Sequence, residues 1–231
     1  MKGDNFYGRE SSKEEKENKV KDKEKEEDMF TKLPKEIILH ILSFLDAKIA
    51  VQTSVLNKRF RYLWAALPVI NFDEALYQDA ISFEDFVYSF LFYRYNSTNV
   101  FNVNLKCHKD HLPILRDNAV VYYIIYHVID TPSIATNIQE LYIDVGWLPK
   151  DICSLYTLIE LFEIMQRAKS ISLSSKIIDV LSMFPDELED KCSPFTRMQT
   201  FELICDSSSS SAMPQDVKKY LFGEDNSSFT P

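Results

Sequence analysis

Between Leu33 and Leu67 the apolar positions arrive in short helical bursts. Ile37, Ile38, Ile41, Leu42 and Leu45 recur at offsets that build one apolar helix face. Pro34 suits the first turn, where its missing N–H is not needed, and Glu36 favours the positive end of the helix dipole. Asp46 predicts the cap of a short second helix carrying Ile49, Ala50 and Val51. Asn57 predicts the cap of a third, with Phe60, Leu63, Trp64 and Leu67 at i, i+3, i+4 and i+7 and Pro68 ending it. Three helices in about forty residues close little core of their own, so such a module leans on a partner. The plain alternative is a helical subdomain packed on its own chain.

Beyond Pro68 the periodicity changes. Ser82-x-x-Asp85 predicts a capping box and a helix to about Tyr95, carrying Phe86, Val87, Phe90 and Leu91. A pattern apolar-x-x-apolar-x-apolar then occurs at Val100, Val103, Leu105; at Ile138, Leu141, Ile143; at Ala168, Ile171, Leu173; and at Met198, Phe201, Leu203. The last three begin 30 residues apart and the first gap is 38. Helical patterns lie between: Val120 to Val128, Leu155 to Met165, and Ile177 to Phe184. Strand-then-helix units at a near-constant period predict an α/β solenoid, with a general α/β domain as the alternative.

Composition sets limits. The 231-residue chain suits one ordinary domain plus a small one. No apolar run approaches the ~18 residues of a membrane helix, and the charged N-terminus has no signal-peptide hydrophobic region. Cys107, Cys153, Cys192 and Cys205 are scattered without a CxxC, which predicts reduced core thiols in an intracellular protein.

Charge is uneven. Residues 1–28 carry net −2, residues 29–70 net +4, and residues 71–231 net −11. A basic module suits an acidic partner surface, and the acidic remainder argues against nucleic acid as main ligand. Residues 1–28 read as a disordered charged tail. Acidic residues interrupt every lysine there, favouring a solvated tail over a nuclear-targeting signal. The organisation expected is a tail (1–28), a docking module (29–70), a helical connector (71–96), a repeat-like region (97–205) and a flexible C-terminal tail (206–231).

The docking module carries a resemblance. Leu33-Pro34-x-Glu36-Ile37-x-x-x-Ile41-Leu42-Ser43-x-Leu45, then Ala50-Val51-x-Thr53-Ser54-Val55-Leu56-Asn57-Lys58-Arg59-Phe60-Arg61-x-Leu63-Trp64, resembles the F-box of plant F-box/leucine-rich-repeat proteins, FBD-containing members included. Departures are Asp46-Ala47 where Pro-Thr is usual, Asn57 where Ser or Cys is usual, and Phe60 where Trp is usual. The resemblance implies a degenerate leucine-rich-repeat solenoid after the F-box, although the asparagine or cysteine ladder position is not kept. It also implies a substrate-receptor subunit of an SCF-type ubiquitin ligase, in the nucleus or cytoplasm. Leu33, Pro34, Ile37, Ile38, Ile41, Leu42, Leu45, Leu56, Phe60, Leu63 and Trp64 would dock an SKP-type adaptor and through it a cullin, with Lys58 and Arg59 towards an acidic partner. A sheet built around Leu105, Ile143, Leu173 and Leu203 would face the substrate protein, with Tyr142 and Asn104 among its exposed alternates. The rival expectation is an adaptor-binding scaffold, or a truncated competitor of complete receptors, since no further C-terminal domain is read here.

Catalytic signatures are missing. With only four glycines no phosphate-cradling loop or dinucleotide fingerprint can be written, and neither GxSxG nor HExxH occurs. Cys107-His108-Lys109-Asp110-His111 clusters possible metal ligands but has no second pair at matching spacing, so it reads as a polar turn. Asp186-Glu187 and Glu189-Asp190 read as a solvated loop. The expectation is a non-catalytic recognition protein with no metal, cofactor or membrane.

Overall fold

The computed structural model describes residues 32–94, 99–107, 138–205 and 213–223. The chain divides into two units, Met1–Ile38 and Leu39–Pro231. In the first, the Pro34 carbonyl accepts from Ile37 and Ile38 N–H at 3.2 Å, which opens helix α1 (Lys35–Leu42).

The second unit takes in the end of α1 and then α2 (Ala47–Gln52), a 3₁₀ turn at Thr53–Val55 and another at Leu63–Ala66. Asp46 caps α2 as expected, its carboxylate accepting from Lys48 N–H at 2.7 Å. The third α-helix expected after Asn57 is not formed. The Asn57 side chain instead accepts from Arg59 N–H at 3.0 Å, and the chain tightens through i→i+3 bonds such as Leu63 to Phe60. Spacing of three keeps Phe60 and Leu63 on one side in either helix type, so both are still buried.

Five strands follow: β1 (Val69–Asp73), β2 (Asn102–Cys107), β3 (Glu140–Val145), β4 (Ser170–Ser174) and β5 (Thr200–Ile204). They form one parallel sheet in chain order. One set of alternate residues is buried (Ile70, Phe72, Val103, Leu105, Leu141, Ile143, Ile171, Leu173), as a sheet covered on one face requires. The expected solenoid gives way here to a five-stranded parallel sheet in a mixed α/β fold. Side-chain hydrogen bonds between neighbouring strands span 33, 38 and 30 residues, so the strand-to-strand period is not constant along the sheet. β1 lies outside the repeated pattern, and the boundary drawn after residue 70 falls inside it.

Helices pack on the buried face. Helix α3 (Ala80–Tyr93) is capped by Asp79, which accepts from Ser82 N–H at 2.7 Å, so Asp79 rather than Ser82 starts the helix. Asp151 caps α4 (Ile152–Ile164) the same way, accepting from Ser154 N–H at 2.8 Å. Helix α5 (Ser175–Ser182) buries Ile177, Ile178, Val180 and Leu181. The acidic pairs expected in a loop stand mostly on a short helix, α6 (Pro185–Glu189), and are exposed.

The region read as a flexible tail from residue 206 contains α7 (Gln215–Phe222), with Val217, Tyr220, Leu221 and Phe222 buried. Gly223 ends it at φ +76, a left-handed conformation glycine adopts without steric cost, and donates to the Lys219 carbonyl at 2.9 Å. The 1–28 tail, the helix at Val120–Val128, the serine run and residues His108 to His111 lie outside the described residues. Among described residues no helix is long and apolar enough to cross a membrane, and no group of three or more potential metal ligands gathers. The four cysteines are free, but Cys153, Cys192 and Cys205 are exposed rather than core thiols.

Candidate functional site

Two surfaces can receive a partner. The first is the helical module. Of the thirteen residues expected to dock, Ile38, Leu42, Phe60 and Leu63 are buried. Trp64 is half-buried and packs on Phe90 with ring centroids 5.2 Å apart. The four buried side chains support the fold, while Trp64 keeps part of its ring at the surface. Leu33 and Leu45 are half-buried, while Pro34, Ile37, Ile41, Leu56, Lys58 and Arg59 are exposed.

The structure adds exposed apolar residues that helix periodicity did not nominate: Phe44 at 73%, Val55 at 85% and Tyr62 at 61% exposure, beside Leu56 at 74%. They sit in the turns after α1 and α2, where no periodic signal operates. Fully burying one such side chain is worth about 1.5–3 kcal/mol, so this set is the apolar surface the module leaves exposed to water.

The second surface is the open face of the sheet. Asn71, Asn104, Tyr142, Ser172 and Glu202 stand in one row across all five strands. A groove of about 720 Å³ lies at the β1–β3 end. Its floor includes Asn71, Asn104, Lys106 and Tyr142, and His40, Ser43, Phe44 and Asp46 of the helical module form a wall.

Asn71 ties wall to floor. Its amide nitrogen donates to the Ser43 and Leu45 carbonyls, both at 2.9 Å, and its oxygen accepts from the Asn104 amide at 2.6 Å. Asp46 does the same from the other side: its second carboxylate oxygen accepts from Asp73 N–H at 3.0 Å. Burial raises the Asp46 carboxyl above its ordinary range despite those donors. Lys48 closes the joint, donating to the Leu76 carbonyl at 2.6 Å and lying 4.2 Å from the Tyr77 ring centroid.

A stability prediction follows. Asn71→Ala removes these bonds and should cost about 2 kcal/mol. Asn71→Asp keeps the shape but turns a carboxylate towards two carbonyl oxygens, so it should cost more than the alanine. Urea titration ranks the two, and an aspartate variant as stable as wild type would remove Asn71 from this role.

Over residues 30–71 the chain matches the F-box domain family. Relatives share the same region. An F-box/LRR-repeat protein of Arabidopsis thaliana is 50% identical over 50 residues, 22% of this chain and 15% of the relative. A second F-box/LRR-repeat protein from that plant is 45% identical over 67 residues, 26% of this chain and 14% of its own. An Arabidopsis F-box/FBD/LRR-repeat protein is 32% identical over 117 residues, 51% of this chain and 24% of its own. The chain thus spans a quarter or less of the length of the curated relatives it matches. No solved structure matches. Residues 30–71 thus match the F-box domain family, and over that region the chain is similar to plant F-box/LRR-repeat proteins.

Proposed function

We propose that this chain is a substrate-receptor subunit of an SCF-type ubiquitin ligase, acting in the nucleus or cytoplasm. The F-box docks an SKP-type adaptor, and the adaptor brings a cullin. The observation that carries the reading is the F-box match over residues 30–71, together with the exposed apolar side chains Ile41, Phe44, Val55 and Leu56 on that module. A module with a net charge of +4 also suits an acidic adaptor surface.

No covalent step falls to this chain. It holds a target protein near a ubiquitin carried by another subunit, and the gain comes from proximity. The open sheet face is the part offered to the target. In-order parallel pairing and the 30-residue step between the last strands support reading that sheet as a short, degenerate leucine-rich-repeat array.

The test is affinity purification of the full chain from plant cells, with adaptor and cullin both probed. Recovery of both is the expected result. Adaptor without cullin would replace the ligase by a non-ligase scaffold, and recovery of neither would end the docking assignment.

A further inference from the structure

We propose that the groove between the F-box segment 40–46 and strands β1–β3 binds a basic segment of the partner protein, a short extended stretch bearing Lys or Arg. The proposal rests on reading the sheet face as the target-holding half, and it adds the chemistry of what is held.

The groove has the capacity for such an occupant. Its volume of about 720 Å³ lies within the ~300–1,000 Å³ of ligand-sized clefts. Three strands at ~4.8 Å spacing make a floor roughly 10 Å wide, enough for about three extended residues at ~3.3 Å each.

Charge selects the occupant. Asp73 lines the groove, and Glu140, Asp144 and Glu202 continue the acidic set of outward alternates on the strand face beside it, against Lys106 as the basic member. Asp46 adds a further carboxylate from the wall.

Hydrogen-bonding capacity points the same way. The Asn71 amide donates inward to two carbonyls, Asn104 donates to Asn71, and Asn102 donates to Glu140 at 2.5 Å. Asn71 therefore spends both amide hydrogens within the protein, and Asn102 and Asn104 one each, while the carboxylates of this face can only accept. An acceptor-rich surface calls for a donor-rich ligand, and ammonium and guanidinium groups are the donor-only side chains.

Aromatic groups supply the rest. The Lys106 ammonium lies 5.7 Å from the centroid of the Tyr142 ring, so this face already holds a cation of the chain's own. The Tyr142 hydroxyl is raised above its ordinary range by burial and by Asp144 and Glu202, a sign of negative potential at the middle of the row. Phe44, edge-on to His40 at 4.9 Å, gives the rim an apolar platform for the aliphatic stem of Lys or Arg.

The test uses the full chain and fluorescence anisotropy. Its probes are fluorescein-labelled dodecapeptides of Gly, Ser and Arg/Lys, and a counterpart with Glu at the basic positions. The basic probe is expected to bind at least tenfold tighter than the acidic one at about 50 mM salt, and to weaken about tenfold near 300 mM. Asn104→Lys should weaken it at least fivefold, whereas Gln166→Lys, the same charge change in the exposed turn after α4, should change it less than twofold. Lys106→Glu should tighten it at least threefold, a direction misfolding does not produce.

Equal affinity for the two probes would overturn the proposal. So would equal weakening by Asn104→Lys and Gln166→Lys, since that is attraction to the overall charge of −9, and so would no gain from Lys106→Glu. Adaptor capture is assayed on the same proteins. Capture without selective peptide binding ends only this inference, whereas absence of capture ends the F-box reading whatever the peptides do.

Discussion

Replacing Phe72 by alanine is expected to destabilise the fold by about 4 kcal/mol, within the range for deleting a buried aromatic ring. Phe72 is 2% exposed on β1 and meets three rings of α3 edge-on: Phe83 and Phe86 at 6.5 Å, and Phe90 at 5.4 Å. Each such pair adds about 0.5–1.5 kcal/mol beyond the area it buries. Phe90 in turn carries Trp64 of the F-box, so the cavity would open beneath the joint between module and sheet. Since a domain is stable by only about 5–15 kcal/mol, this variant should unfold at markedly lower urea. Phe92→Ala, which removes an exposed ring stacked on Tyr88 at 6.0 Å, should cost under about 1 kcal/mol. Equal midpoints for the two variants would show that β1 is not anchored by α3.

That anchoring strand was the least legible part of the sheet. Leu141 and Ile143, and likewise Ile171 and Leu173, announce themselves because a face covered on one side imposes a period of two. Val69–Asp73 has the same alternation, with Ile70 and Phe72 inward, but it directly follows the F-box pattern and is divided by the boundary drawn between docking module and connector. The stretch after Asn57 failed for another reason. Positions i and i+3 fall on one side in both 3₁₀ and α geometry, so Phe60 and Leu63 could not tell the two apart. Helix α7 was masked by its polar flanks. Val217, Tyr220 and Leu221 carry its periodicity, yet three residues after a serine run give too short a signal.

The proposed docking face was legible as a list and illegible as a surface. Residue type marked Ile38, Leu42, Phe60 and Leu63 as apolar and regularly spaced, which is equally the signature of a core. Only packing separates those from Ile41, Leu56 and the turn residues Phe44 and Val55. The acceptor-rich groove was harder still, because its character depends on where Asn71 and Asn104 send their amide hydrogens. Two asparagines 33 residues apart carry no such instruction in sequence.

Leu56→Asp is expected to lower affinity for an SKP-type adaptor by about 3 kcal/mol, roughly 100-fold, with no comparable loss of stability. Leu56 is 74% exposed, next to Val55 at 85%, so the carboxylate meets water in the free chain. In a complex it would be buried against an apolar surface with no partner, and that desolvation falls on the bound state alone. Leu63→Ala makes the opposing case. Leu63 is 8% exposed, so its truncation should cost about 2–5 kcal/mol of folding, and binding should suffer only in proportion to the fraction unfolded. Titration calorimetry against the adaptor, paired with thermal melts, separates the two effects. If Leu56→Asp bound like wild type while a folded Leu63→Ala lost affinity, the docking surface would lie on the side the structure buries, and the exposed turn residues would have no part in it.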